Sequence, residues 1–134
     1  MYQIYNKYYK MSSLISVMVV DDEIELANLY RKYLQRSGFD SVSFTDPQLA
    51  LENFMQNPNK YSIIILDFLM PTLDGIRLAK MIRNVNNRVK IVLITAYYTD
   101  EMMINDEYKD AKIMEIFQKP MRLQEIAHRL MEII

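Results

Sequence analysis

Three β-branched, apolar runs constrain this chain more than any other feature, because each stops abruptly at a polar residue. Leu14 to Val20 ends in Asp21-Asp22-Glu23, Ile63 to Leu66 ends in Asp67, and Val89 to Ile94 ends in Thr95. A strand with no polar alternation must be covered on both faces, which happens in parallel sheets flanked by helices and seldom elsewhere. The polar residue then marks the carboxyl end of the strand.

Helical spacing fills the intervals. Ile24, Leu26, Ala27, Tyr30, Tyr33 and Leu34 recur three and four apart between Glu23 and Arg36, and Gly38 stands where a helix end takes a left-handed residue. Ser41 to Phe44 reads as a second strand. Thr45-Asp46-Pro47 offers an N-cap and a first-turn proline for a helix lasting to about Gln56, with Pro58 just beyond. Helical spacing returns at Ile76, Ala79 and Ile82, in Ile76 to Arg83. The remainder reads as a weaker helix from Asp100 to about Lys109, a fifth strand from Ile113 to Phe117, and an amphipathic helix from Leu123 to Ile134. Strict alternation of strands and helices predicts a doubly wound α/β domain with right-handed crossovers.

With 134 residues the chain has room for one domain. Residues 14–134 are expected to form it and residues 1–13 to be a tail outside the pattern, either disordered or preceding a true start at Met11. The tail's tyrosines (Tyr2, Tyr5, Tyr8 and Tyr9) come without the apolar core of a signal peptide. The absence of cysteine excludes disulfides, Cys-ligated zinc and thiol catalysis, and makes a cytoplasmic location the expectation. A net charge of −1 with mixed signs gives no reason to expect nucleic acid or a membrane surface as partner. No apolar stretch approaches the ~20 residues that span a bilayer.

In open α/β sheets, ligands bind beyond the carboxyl ends of the strands, where strand order reverses. The strand ends here bring Asp21, Asp22, Asp67, Thr95 and, just after the fifth strand, Lys119 to one edge. Three carboxylates together repel one another and raise one another's pKa, which weakens the fold unless a cation relieves it. All-oxygen ligation without His or Cys selects a hard ion, Mg2+ first. A carboxylate beside Mg2+, an ammonium and a hydroxyl is also equipped to accept a phosphoryl group. The single histidine, His128, is expected on the surface of the last helix, away from this edge.

Val19-Val20-Asp21-Asp22-Glu23, Asp67-Phe68-Leu69-Met70-Pro71 with Asp74-Gly75, Thr95-Ala96 and Lys119-Pro120 together resemble the receiver domain of two-component response regulators, including the single-domain chemotaxis regulator. The resemblance spans about Ser16 to Ile134. It implies the flavodoxin-like fold with parallel strand order 2-1-3-4-5. It also implies a phosphoryl group passing from a histidine kinase or phosphotransfer protein to Asp67. Mg2+ would be held by Asp22, Asp67 and the backbone carbonyl of Leu69, with Asp21 acting mainly through water. Thr95 would be the switch hydroxyl, Lys119 the phosphoryl-pairing lysine, and Lys119-Pro120 a cis peptide. Such a chain accepts phosphate and loses it slowly; it is not an enzyme acting on a separate substrate. Its output would be a downstream protein bound on the face made by the fourth helix, fifth strand and last helix. The methionines read mostly as core or helix filler, with an adaptable partner surface as the alternative for Met102-Met103.

Several positions depart from the family pattern. Ile116 stands where the switch aromatic usually lies, with Phe117, Tyr97 and Tyr98 as substitutes, and the glycine usual before the fifth strand is missing. Leu69 and Tyr97 flank the path of the hydrolytic water, and an apolar plus a bulky residue there imply slow loss of phosphate. Two alternatives stay open: a phosphate-independent pseudo-receiver, and the receiver domain of a hybrid histidine kinase. A haloacid-dehalogenase-like phosphatase is disfavoured because Leu69 occupies the place of that family's general acid.

Overall fold

A computed structural model describes residues 15–97 and 100–134, apart from the side chain of Glu101. Five strands, β1 (Ser16–Val20), β2 (Asp40–Phe44), β3 (Ile63–Asp67), β4 (Lys90–Thr95) and β5 (Glu115–Gln118), form one parallel sheet in the order β2-β1-β3-β4-β5. Between them lie α1 (Ile24–Arg36), α2 (Pro47–Gln56), α3 (Gly75–Val85), α4 (Asp100–Ile104) and α5 (Asp106–Ala111), and α6 (Leu123–Ile133) follows. This is the doubly wound α/β architecture expected from the apolar runs. The tail at residues 1–13, Leu14 and Tyr98 lie outside the described residues.

The central strands are apolar on both faces, and the two sets of side chains enter different cores. Met18, Val20, Ile64, Leu66, Ile91 and Leu93 pack with Phe54, Leu78 and Ile82 from α2 and α3. Val17, Val19, Ile63, Ile65, Val92 and Ile94 pack with Tyr30, Leu34, Ile126 and Leu130 from α1 and α6. Each fully buried Leu or Ile is worth about 1.5–3 kcal/mol, so a one-residue slip of any central strand would exchange its two sets of partners at large cost.

Local signals set the boundaries. Asp46 caps α2 by accepting from the Gln48 amide at 2.9 Å, with Pro47 in the first turn. Gly38 takes φ 97° after α1. Asp74, at the head of α3, accepts from the Arg77 amide at 2.8 Å. On the outer strand β2, Asp40 and Phe44 bond back to the β1 side, so the backbone of the buried Ser41 is turned to the open margin. Gln35 of α1 donates to the Ser41 carbonyl at 3.1 Å, and the Ser41 hydroxyl donates to the Arg31 carbonyl at 2.7 Å.

The single helix expected from Asp100 to Lys109 is two helices. Asn105 interrupts it by capping α5, its side chain accepting from the Glu107 amide at 2.8 Å. The fifth strand is Glu115–Gln118 rather than Ile113 to Phe117. Lys112, at φ 50°, ends α5 in the left-handed conformation, and Ile113 and Met114 are spent leading the chain back to the sheet. Lys112 thus supplies with a long side chain the turn for which glycine is the usual residue.

Candidate functional site

The carboxyl ends of β1, β3 and β4 and the segment after β5 converge. Asp21 follows β1 and Asp67 ends β3. Both are buried, and Asp22 is half-buried beside them. One carboxylate oxygen from each of the three lies within 4.8 Å of the others. Lys119 joins them, its Nζ 3.5 Å from Asp67 Oδ1 and 3.6 Å from Asp21 Oδ2. The peptide between Lys119 and Pro120 is cis, and the Lys119 amide donates to the Thr95 carbonyl at 2.8 Å, tying the lysine loop to the end of β4.

Burial of the carboxylates dominates the electrostatics. Asp67 is pushed up to about 6, first by burial and then by the charge of Asp21, with Lys119 pulling in the opposite sense. Asp21 is also raised, chiefly by burial, while the Glu23 amide at 2.9 Å and Lys119 act against the rise. Repulsion between carboxylates is present too: at Asp67 it comes second to burial, and at Asp21 the charges of Glu23 and Asp22 come last. Tyr30 of α1 is buried close enough to be pushed up to about 12 by burial and by the charges of Asp21, Asp67 and Glu23, so its phenol stays protonated.

A divalent cation fits this donor set. Asp21 Oδ1 has the Glu23 amide, but Asp21 Oδ2 is buried with no hydrogen-bond donor, the Lys119 ammonium being beyond hydrogen-bonding range. An orphaned carboxylate oxygen is costly unless a cation or water reaches it. A spread of up to 4.8 Å is wider than the about 2.9 Å between neighbouring oxygens on Mg2+, so to grip a common ion the three would have to draw together or one of them act through water.

Thr95 is buried at the end of β4, and its hydroxyl accepts from the Tyr97 amide at 2.9 Å. Leu69 and Tyr97 are both exposed, at 48% and 63%, on the loops flanking Asp67 and Thr95. Ile116 and Phe117 point to opposite faces of β5. Phe117 is in the core with α1 and α6, whereas Ile116 is half-buried on the other face and lines a cavity of about 350 Å3 with Met103, Tyr108 and Met114. A ring at Phe117 is therefore packed as core. His128 is exposed on α6 and pairs with Glu132 at 2.8 Å, away from the acidic edge.

Two residues matter here that the strand-end pattern did not single out. Gly75 begins α3 against the backbone of Asp67: a Cβ added there would meet the Asp67 carbonyl oxygen at 2.5 Å and Leu93 Cδ1 at 2.9 Å. The signal was the Asp74-Gly75 pair, a cap followed by the smallest residue. Tyr30 was read as one more apolar position of a helix face, and nothing in its spacing distinguishes a phenol near carboxylates from a core ring.

The chain matches the family model described as "Response regulator receiver domain" over residues 17–131. No curated protein matches it. Among solved structures it is similar to the Vibrio cholerae chemotaxis protein CheY4, with TM-score 0.81 and 22% identity over 90% of this chain and 99% of that one. The receiver domain of the Francisella response regulator 1452 gives TM-score 0.74 and 29% identity, covering 88% and 94% of the two chains. A CheX-CheY-BeF3-Mg2+ complex from Borrelia burgdorferi gives TM-score 0.79 and 19% identity, covering 89% and 88%.

Proposed function

As a member of the response regulator receiver domain family, this chain, we propose, is a phosphoacceptor: it takes a phosphoryl group from a phosphohistidine of a histidine kinase or phosphotransfer protein onto Asp67. The observation that carries the reading is the placement of a buried Asp67 carboxylate beside two further carboxylates and 3.5 Å from an ammonium. An Asp67 oxygen attacks phosphorus, the bond to the donor imidazole nitrogen breaks, and that nitrogen leaves with the electron pair and takes a proton. Lys119 neutralises charge on the phosphoryl oxygens, and Thr95, on leaving its bond to the Tyr97 amide, donates to one of them. When bound, Mg2+ supplies charge neutralisation at the phosphoryl oxygens. Asp21, Asp22, Asp67 and the Leu69 carbonyl are the residues that would hold it.

The product is a dianionic group on the sheet edge, and the downstream protein is bound according to its presence. The β4–α4 loop carries the change from Thr95 to the surface holding Met103, Met114 and Ile116. The site lies in the cytoplasm, where phosphodonor kinases act. Among the described residues no helix is long and apolar enough to cross a membrane.

The test is incubation with acetyl phosphate and Mg2+ followed by intact mass measurement. Wild type gains the mass of one phosphoryl group, and Asp67→Asn gains none. Absence of label on wild type would leave the pseudo-receiver reading in its place.

A further inference from the structure

Tyr30 is a polar side chain that the phosphoacceptor chemistry leaves unused. It belongs to the buried face of α1 with Ala27 and Leu34, and it packs in the core shared with α6. The residue is only 6% exposed. For packing alone a phenylalanine would serve as well, and a hydroxyl carried into a core costs stability unless it finds a partner. Among the described residues the Tyr30 hydroxyl has no hydrogen-bond partner.

The helix sets its direction. Tyr30 stands six residues beyond Ile24, the first residue of α1, which is a rise of about 9 Å. Long side chains on a helix lean toward its amino end, and α1 begins just after Asp21 and Asp22. The phenol is thereby carried back toward the acidic edge. There Tyr30 lines a cavity of about 410 Å3 together with Ala96, Lys119 and Pro120, and the Lys119 ammonium stands 3.6 Å from Asp21 Oδ2. The phenol stays protonated beside these carboxylates, so it has a proton to donate.

Asp21 is the complementary case. Its Oδ1 is taken by the Glu23 amide, while Oδ2 is buried without a donor. An unpartnered donor and an unpartnered acceptor therefore lie in the same part of the molecule, beside carboxylates that have to close up if they are to share an ion. We propose that Tyr30 is a positioning residue of the metal site: as the carboxylates draw together, its hydroxyl donates to Asp21 Oδ2 and fixes the direction in which Asp21 is presented. This deepens the phosphoacceptor reading and rests on its Mg2+ site. Partners that hold a ligand from behind commonly govern metal affinity without touching the metal.

The test is Tyr30→Phe, which keeps the ring and removes the hydroxyl. Calorimetric titration with Mg2+ should show its Kd raised about tenfold or more over wild type. In chelator the variant should melt level with wild type or above it, having lost an unpaired hydroxyl, yet its midpoint should gain less from Mg2+. A ring needed only for packing gives the reverse pattern, a lower melt in chelator and an unchanged gain from Mg2+. By NMR in Mg2+, the side-chain carboxyl resonance of Asp21 should move on Tyr30→Phe, while that of Asp74 at the head of α3 stays.

An unchanged Kd would overturn the proposal, as would a variant melting lower in chelator or an Asp21 resonance that does not move. If wild type binds no Mg2+, the proposal falls together with the metal site. If wild type binds Mg2+ but intact mass shows no phosphoryl uptake, the phosphoacceptor reading alone fails, and the Kd of Tyr30→Phe still decides the role of the hydroxyl.

Discussion

Replacing Asp67 by Asn should make the metal-free protein more stable. Asp67 has its pKa pushed from 3.8 to about 6 in the folded state, so the folded protein disfavours the ionised carboxylate relative to the unfolded chain. With a folded pKa above the unfolded one, the native state holds more protons between about pH 4 and 6, and stability falls as pH rises through that window and stays low above it. A rise of about two units corresponds to about 3 kcal/mol at neutral pH. The side chain is only 10% exposed, so solvent screening removes little of this. The amide of the variant carries no charge to bury, and Lys119 keeps Asp21 as a partner at 3.6 Å.

For a chain of this length about 3 kcal/mol is roughly 10 °C in thermal midpoint. Calorimetry or thermal circular dichroism in a chelating buffer at pH 7.5 should show Asp67→Asn melting about that much higher. Mg2+ at about a hundredfold over its Kd should raise wild type by about 2.7 kcal/mol and the variant by much less. A variant melting at or below wild type in chelator, or one keeping the full response to Mg2+, would refute the crowded-carboxylate argument.

Gly75→Ala should destabilise the fold by about 1–3 kcal/mol and slow phosphoryl uptake, because the new methyl displaces either α3 or the Asp67 carbonyl; denaturant melts and mass-detected uptake measure both. Lys112→Gly should be neutral or stabilising by up to about 1 kcal/mol, since φ 50° suits glycine better than lysine, as read by urea denaturation. On the phosphoacceptor reading, the phosphorylated protein should keep its label for many minutes, because the proposed roles of the apolar Leu69 and the bulky Tyr97, both exposed, are to leave the hydrolytic water unoriented and to shield its path. Leu69→Gln should shorten that lifetime severalfold, and a wild-type lifetime of seconds in a mass time course would contradict this.

The architecture was legible because the apolar runs are physically unambiguous. Ile63 to Leu66 cannot face water on either side, so a two-sided cover and a strand end at Asp67 follow directly. The strand ends then carried Asp21, Asp67 and Thr95 to one edge without further assumption. The strand order came from the family resemblance; periodicity alone does not supply it.

Where legibility ran out, non-local or competing local forces were at work. Asp100 to Lys109 reads as one helix because its weak periodicity does not register that Asn105 prefers to cap. The fifth strand begins late because Lys112 turns left-handed, and that turn is secured by Arg83 from 29 residues away in sequence. The leading role of burial over repulsion at Asp67 depends on how deep the strand end lies, which no spacing encodes.

The bond from Gln35 to the outward Ser41 carbonyl matters beyond local packing. A parallel sheet has two open margins, and an unengaged acceptor there invites another molecule's amide to extend the ladder. With this acceptor already engaged by its own helix, the β2 margin offers a newly made chain fewer places to nucleate stacking, which favours solubility when such a protein is produced in quantity.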